Sequence, residues 1–293
     1  MTETQSAAQP KIIMLATDLT PACDRAFDRA VQLARQWGAH LTVVHVVETG
    51  EREVIGVEHR SHIASRELEA LSGALQEKGN IQFSRQLGFG SAKERLVAFA
   101  QELECDVIVT GLAYAKTYGE KLMGSTVEHL VREARAPVLA VRRRADRPYR
   151  SIAVGIDFSE PSRHALDRAL SLFAGCRFTA VHAHDIGFTG VASTGSAIAE
   201  YEARSKAEID ALIATARHAF QERAGAAPPD VRTHFAHGPT DEIMKSFIER
   251  EATDLVVIGT HGRTGLRRAL IGSVAARLLN TLPCDVLAIH PEA

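Results

Sequence analysis

The chain has 293 residues, of which 45% are hydrophobic and 24% are charged, and its formal net charge at pH 7 is -2. This length suffices for two domains of ordinary size, each able to bury a core, and the composition is typical of a globular protein. The near-neutral charge excludes a strongly basic surface for nucleic acid or for an anionic membrane.

The N-terminus and the cysteines predict the cellular location. The first residues, MTETQSAAQPK, contain no apolar core of a signal peptide. No apolar run approaches the roughly 18 residues that a membrane span requires. The four cysteines are scattered without a CxxC motif, which is typical of a reduced, intracellular protein. We therefore expect a cytoplasmic protein that binds neither nucleic acid nor membrane.

The chain contains an internal repeat, in which residues 150–185 are similar in sequence to residues 11–48. The aligned residues are Asp18 with Asp157, Asp28-Arg29-Ala30 with Asp167-Arg168-Ala169, and Val44-His45 with Val181-His182. Later blocks also align, namely 105–111 with 253–259, 123–130 with 271–278, and 137–142 with 285–290. The repeat predicts two domains, residues 1–146 and 147–293. The offset grows by about nine residues, which we place within 186–228, where GFTGVASTGSA indicates a loop.

Each copy alternates short β-branched runs with longer helical segments, the pattern of β-α units around a parallel sheet. In the second copy the predicted strands are 151–156, 178–183, 231–235, 254–259 and 285–290, and the predicted helices are 161–174, 197–223, 239–251 and 272–281. We predict an α/β fold of two repeated, doubly wound, five-stranded parallel-sheet domains, Rossmann-like with strand order 3-2-1-4-5. The charged segment RRADRPYR, residues 143–150, is the expected hinge between them.

The fourth strand of the second copy runs into the glycine-rich stretch GTHGRTGLRRALIGS, residues 259–273. In an open parallel sheet with this strand order, ligands bind where strands 1 and 4 diverge, and these strands end at Asp157 and Gly259. Gly259 and Gly262 allow close approach of the backbone to a ligand. Gly272-Ser273 opens a helix whose free N–H groups favour an anion. The stretch therefore predicts a phosphate cradle.

The chain contains neither a GxxxxGK[ST] P-loop nor a GxGxxG fingerprint, which excludes P-loop NTPases and dinucleotide dehydrogenases. The spacing Gly-x2-Gly-x9-Gly-Ser between a strand and a helix resembles the ATP-binding signature of the universal stress protein family. DFS after strand 1, VHAHD at strand 2 and HGPTDEI after strand 3 also resemble that family in order. Because the resemblance spans nearly the whole chain, it implies a tandem universal stress protein.

The resemblance implies that the second copy binds ATP, with magnesium accompanying the phosphates. Asp157 would hold the ribose side and the backbone of Ala183 would lie near the base. The remaining implied contacts to ribose and phosphates come from Ile258, Gly259, Gly262, Gly272, Ser273 and Val274. Arg263, Arg267 and Arg268 either screen phosphate charge or form a solvated loop face.

The first copy departs from this motif in GLAYAKTYGEKLMGS, residues 111–125. Tyr114 stands at the position of Gly262, where a Cβ and a ring oppose close approach of the backbone. Its remaining candidate ligand residues are Asp18, Gly111, Gly124 and Ser125. We expect a degenerate copy, either kept for dimer-like packing or adapted to another ligand.

His182 and His184 share one face of a strand and are candidate metal ligands, although hydrogen-bonded structural histidines are the commoner case. We predict no catalytic residue, since no lysine of the P-loop kind and no evident base accompany the glycine loop.

We expect a stress-response protein that regulates through ATP binding. A nucleotide-independent scaffold or small-ligand carrier, and a weak ATPase or self-phosphorylating protein, are the alternatives. In the family, domains pair through their last strands, so 137–142 and 285–290 predict an internal pseudo-dimer. A homodimer of the whole chain is a further expectation.

Overall fold

The computed structural model describes residues 10–49, 56–112, 124–184, 195–260 and 271–291, with the backbone alone at 78 and 195–199. The first half contains β1 (Ile12–Ala16), α1 (Asp24–Trp37), β2 (His40–Glu48), α2 (Val57–Lys78), β3 (Phe83–Gly90), α3 (Ala92–Glu102), β4 (Val107–Gly111), α4 (Ser125–Glu133) and β5 (Val138–Val141). A short 3-10 turn, Pro21–Cys23, precedes α1.

The second half repeats this order. It contains β6 (Ser151–Gly155), α5 (Glu160–Leu172), β7 (Arg177–His184), α6 (Gly195–Ala224), β8 (Val231–His237), α7 (Thr240–Glu251), β9 (Leu255–Gly259), α8 (Ser273–Thr281) and β10 (Asp285–Ile289). These bounds lie within a few residues of the predicted ones. Helix α6 begins at Gly195, so the predicted loop ends two residues earlier than expected, and 187–194 lie outside the described residues.

The ten strands form one sheet in the order β3-β2-β1-β4-β5-β10-β9-β6-β7-β8. Within each half the pairing is parallel and the order is 3-2-1-4-5, which confirms the predicted fold class. The halves join where β5 pairs antiparallel with β10, with Leu139 opposite Leu287. The last strands of the two copies therefore meet, as the sequence predicts.

Helices cover both faces of the sheet, which explains why the central strands are apolar throughout. Side chains of α1, α2, α5 and α6 pack into one core, and those of α3, α4, α7 and α8 pack into the other. Strand β4 is buried at all five positions and β10 likewise, as expected of strands enclosed on both faces. No helix among the described residues has the length and apolar character to cross a bilayer.

The four cysteines are free thiols rather than disulfides. Burial raises the pKa of Cys105 and Cys284 to about 12. Burial also raises the pKa of Cys23 and Cys176 to about 11. All four therefore remain protonated near neutral pH, in keeping with a packing role.

The segment between the halves differs from the hinge predicted from its charge and proline. The Arg143 guanidinium donates to the carbonyls of Pro283 and Thr253, at 3.0 and 3.2 Å. The Arg147 guanidinium lies 3.1 Å from the carboxylate of Asp254. Charge in this segment serves to anchor the linker to the second half, an effect that composition alone does not reveal.

We call the interface between the halves, where β5 pairs with β10, the seam. Asp285 lies at its centre, and the Asp285 side chain is completely buried. Its Oδ1 accepts from the backbone N–H groups of Arg142 and Arg143, at 2.7 and 2.8 Å. Its Oδ2 accepts from the Tyr149 hydroxyl at 2.6 Å and lies 3.4 Å from the Arg29 Nε. A buried charge is tolerated only when it is paired and hydrogen-bonded, and each partner of Asp285 belongs to the first half or the linker.

Aromatic rings close the seam around this ion pair. The Arg29 guanidinium lies over the Tyr149 ring, 4.1 Å from its centroid, and Tyr149 meets Phe173 edge-on at 5.7 Å. Trp37 from the first half packs against Phe173 at 5.6 Å. Burial, followed by the negative charge of Asp285, raises the pKa of Tyr149 well above 10, so its hydroxyl remains a donor.

We expect Asp285→Ala to lower the free energy of unfolding by about 3–5 kcal/mol, because it leaves the Arg29 charge buried without its carboxylate. Urea unfolding of the full chain measures the change. The control, Glu208→Ala, removes an exposed carboxylate beside Arg163 and should stay within about 0.5 kcal/mol of wild type. A loss below about 1 kcal/mol for Asp285→Ala would show that the carboxylate does not hold the seam.

Candidate functional site

A cavity of about 340 Å³ opens in the second half at the carboxyl ends of β6 and β9. This is the position where strand order reverses and where ligands bind in open parallel sheets. Of the predicted nucleotide residues, those that line it are Asp157, Ala183, Ile258, Gly259, Gly272, Ser273 and Val274. Gly262 and the loop arginines lie outside the described residues. The structure thus brings the described candidates together around one cavity.

Asp157 stabilises a strained turn as well as facing the cavity. Its Oδ1 accepts from the backbone N–H of Ser159 at 3.0 Å, and Phe158 between them has φ of 65°. The left-handed region is unfavourable for non-glycine residues. Asp18 forms the same turn in the first half, where it accepts from the Thr20 N–H at 2.9 Å and Leu19 has φ of 61°. The two aspartates therefore have a structural role beside any ligand role.

Gly259 is a glycine because α5 packs against it. A Cβ at this position would lie 2.8 Å from the backbone carbon of Pro161 and 2.9 Å from its carbonyl oxygen. The sequence interpretation assigned the absent side chain to close approach of a ligand. The structure shows helix–strand packing as a requirement for glycine at this position, and close approach of a ligand stays a prediction.

The N-terminus of α8 faces the cavity through Ser273 and Val274. Gly272 precedes it in an extended conformation, φ -57° and ψ 141°, without a side-chain cap. The first N–H groups of a helix have no acceptor within the helix and carry its positive dipole. Gly272 donates to the Thr260 carbonyl at 2.9 Å, and Thr260 donates to the Ile289 carbonyl at 3.0 Å, so this end of the cavity is fixed to β10.

Eight further residues that the sequence analysis did not select also line the cavity: Gly155, Ile156, Ser162, Val181, Thr240, Met244, Ala275 and Leu278. Thr240 and Met244 are four residues apart on α7 and therefore share one helix face, a spacing that was visible in the sequence. Among the described lining residues Asp157 has the only ionisable side chain. The described wall offers a carboxylate, hydroxyls and apolar surface.

The first half has a larger cavity, about 580 Å³, at the equivalent position. It is lined by three of the four candidate residues there, Asp18, Gly111 and Gly124. Ser125 begins α4 but does not line this cavity, whereas Thr126 and Val127 after it do. Residue 114, where the first copy departs from the motif, lies outside the described residues.

Charged side chains distinguish the first cavity from the second, since Glu48 and Arg60 also line it. Arg60 donates from α2 to the Glu48 carbonyl at 3.3 Å. Burial tends to raise the pKa of Asp18, but hydrogen bonds from Thr20 outweigh it and the net shift is downward. Asp18 is therefore a carboxylate at neutral pH, and the first cavity contains charges of both signs.

His182 and His184 do not line the second-half cavity, since alternation along β7 turns Ala183 toward it. The rings of His182 and His184 stack at 6.1 Å, and His182 Nδ1 lies 2.7 Å from the Ile156 carbonyl. His45 makes the equivalent contact with Thr17 in the first half at 2.9 Å. Among the described residues no group of three or more His, Cys, Asp or Glu is arranged to hold a metal ion.

His184 is buried, and neither ring nitrogen has a hydrogen-bond partner within the described part of the chain. Its ring lies 5.3 Å from that of Tyr201 and 5.4 Å from that of His237. Burial, followed by the neighbouring His182 and His237, lowers its pKa. The imidazole is therefore neutral near pH 7 and packs as an aromatic side chain.

Comparison with known families supports this architecture. The model of the universal stress protein family matches residues 10–142 and again residues 148–290. The chain belongs to the universal stress protein family. Two matches in sequence make it a tandem member, with each match covering one five-stranded half.

Individual relatives agree with the family assignment. A universal stress protein from Mycolicibacterium smegmatis is 25% identical over 299 residues, covering 96% of this chain and 97% of its own. Universal stress protein A homolog 1 of Coxiella burnetii is 32% identical over 143 residues, 48% of this chain and 96% of its own. A solved universal stress protein from Archaeoglobus fulgidus has 14% identity and a TM-score of 0.69 over 96% of this chain and 98% of its own, which shows the shared fold.

We expect Gly259→Ala to destabilise this universal stress protein by about 1–3 kcal/mol, because the new methyl group overlaps the Pro161 backbone. Gly175→Ala is the matched control, since a Cβ there meets no atom within 4 Å. Thermal unfolding measures both variants. Equal stability of the two would show that α5 does not require glycine at position 259.

The free energy of unfolding should fall as the pH drops through about 6.5. At that pH His184 begins to bind a proton in the unfolded state, whereas its lowered pKa keeps it neutral in the folded state. His184→Gln should reduce this slope between pH 7.5 and 5. Urea unfolding at each pH gives the slopes, and an unaltered slope in His184→Gln would contradict the assignment.

Proposed function

We propose that this tandem universal stress protein binds ATP or a related adenine nucleotide in the second half and acts as a ligand-dependent regulator in the stress response. The observation that carries the proposal is the α8 N-terminus opening onto a cavity at the point where strand order reverses. A volume of about 340 Å³ falls within the range of small-molecule sites.

Each end of the cavity suits one part of such a ligand. The free backbone N–H groups of Ser273 and Val274 would donate hydrogen bonds to phosphate oxygens at the positive end of α8. The carboxylate of Asp157, fixed by its turn, would accept from ribose hydroxyls. Ala183 and Ile258 at the strand ends would lie along the base and ribose.

Magnesium would enter with the nucleotide rather than occupy a protein site of its own. Mg²⁺ is commonly held by substrate phosphates together with one or two carboxylates. Asp157 has the only carboxylate among the described lining residues. This donor set fits a metal bound chiefly by phosphate oxygens.

The described wall favours binding over rapid turnover. It contains no lysine, arginine or histidine to stabilise charge developing on a transferred phosphoryl group. The protein is therefore proposed to respond to bound nucleotide, with at most slow hydrolysis or self-phosphorylation. We place this activity in the cytoplasm, assign the two functional domains to residues 1–146 and 147–293, and include a homodimer as the assembly to be tested.

A second candidate function concerns the first half, where the cavity is the larger and also contains Glu48 and Arg60. Charges of both signs beside apolar surface suit a small polar ligand other than ATP. In that case the chain carries two different ligands, one in each half. Tyr114, in place of the glycine at 262, would then exclude the nucleotide from the first half.

Ser273→Pro tests the nucleotide site with little disturbance of the fold. Proline is favoured at the first position of a helix, and Gly272 before it already has the extended conformation that proline requires. The change removes one N–H and one hydroxyl from the phosphate end. We expect affinity for Mg-ATP, measured by isothermal titration, to fall about tenfold or more, since hydrogen bonds to charged groups are strong.

Ser125→Pro is the matched control, because Ser125 begins α4 after Gly124 at φ -63° and ψ 152°. One site per chain, weakened by the change at 273 and unaffected by the change at 125, supports the proposal. The reverse pattern would place nucleotide in the first half, and no binding by wild type would refute nucleotide binding altogether. Phosphate release, measured in parallel, separates a binding protein from an ATPase.

A further inference from the structure

A third cavity, about 400 Å³, lies at the opposite edge of the first half, at the amino ends of β4 and β5. Asp106 and Glu104 line it from the start of β4, and Arg135 and Pro137 from the start of β5. Arg168 reaches it from α5 of the second half. The cavity therefore lies on the seam between the halves and is separate from both ligand cavities described above.

The internal repeat shows what occupies the equivalent place on the other side of the seam. Arg168 aligns with Arg29, and Pro137 aligns with Asp285. Arg29 reaches across the seam to the carboxylate of Asp285, 3.4 Å away. Arg168 lines the third cavity together with Pro137, which has no carboxylate. The third cavity marks the place of the missing acid.

The Arg168 side chain has an unsatisfied donor in this position. Its Nε is buried and has no hydrogen-bond partner among the described residues; the Arg29 Nε is likewise without a hydrogen bond, but it lies 3.4 Å from the Asp285 carboxylate. A buried donor without an acceptor costs free energy, and more so when it belongs to a charged group. A guanidinium without a carboxylate beside it favours an oxyanion, to which its planar geometry can donate two parallel hydrogen bonds.

The acids that line the cavity do not fill this role. Asp106 turns its Oδ2 to the backbone N–H groups of Lys11 and Ile12, at 2.7 and 2.9 Å. Glu104 is exposed to solvent. Arg135, also exposed, adds a second positive charge at the rim.

We propose that this cavity is a binding site for a small oxyanion, a carboxylate or a phosphate, which pairs with the Arg168 guanidinium as Asp285 pairs with Arg29. The site bridges the two halves, since Arg168 belongs to the second and Pro137 to the first. Bound anion would therefore stabilise the seam. The inference is independent of nucleotide binding in the second half.

Sodium acetate and sodium phosphate are the probes, titrated into the full chain against sodium chloride at constant ionic strength. Calorimetric titration gives the affinity, and thermal unfolding gives the stabilisation that a ligand of the folded state confers. Arg168→Met should weaken anion binding about tenfold or more through loss of the charged hydrogen bonds. Arg204→Met, an exposed arginine on α6, is the control and should bind as wild type does.

Pro137→Asp restores the acid that the repeat lacks and provides a second, opposite test. Its own carboxylate should occupy Arg168, so that the variant loses anion binding and unfolds at a higher temperature than wild type in chloride. Tighter binding of acetate than phosphate would identify a carboxylate site, and the reverse would identify a phosphate site. Absence of binding by wild type, or equal affinity in wild type and Arg168→Met, would overturn the proposal.

Discussion

The structure depends on one buried carboxylate at the seam between two similar halves. Asp285 receives two backbone N–H groups, a tyrosine hydroxyl and a guanidinium, all from the first half or the linker. Burying this charge without these partners would cost free energy. The Asp285 side chain therefore stabilises the second half only when the first half and the linker are in place beside it. The antiparallel contact of β5 with β10 then extends two five-stranded sheets into one of ten strands.

This antiparallel junction places the two cavities on opposite edges of the sheet. Strands within each half are parallel, but the second set runs opposite to the first. The carboxyl ends of β1 and β4 therefore lie on one edge of the sheet and those of β6 and β9 on the other. Each cavity has its own wall, and the first is larger and more charged. The second cavity is joined to β10 through Thr260, which accepts from the N–H of the lining residue Gly272 and donates to the Ile289 carbonyl.

Much of the fold follows from local sequence because hydrophobic periodicity and the internal repeat are properties of short segments. The strand order and the helix positions of the second half were predictable on this basis, as was the grouping of Asp157, Ser273 and their neighbours around one cavity. The pairing of the last strands was predictable, but the ion pair of Arg29 with Asp285 was not, because the two residues are remote in sequence. Gly259 shows a different limit, since a glycine needed for helix packing looks the same in sequence as one needed for a ligand.

The ion pair makes the seam asymmetric, and this asymmetry affects which halves can pair with each other. Each half has the arginine, at 29 or 168, but only the second half has the acid, at 285, opposite Pro137 in the first. Two first halves joined through β5 would bring together arginines and prolines, with no carboxylate between them. Two second halves joined through β10 would form the ion pair twice. The covalent linkage thus joins a half without the acid to one that supplies it, so that the interface within the chain has the ion pair on one side only.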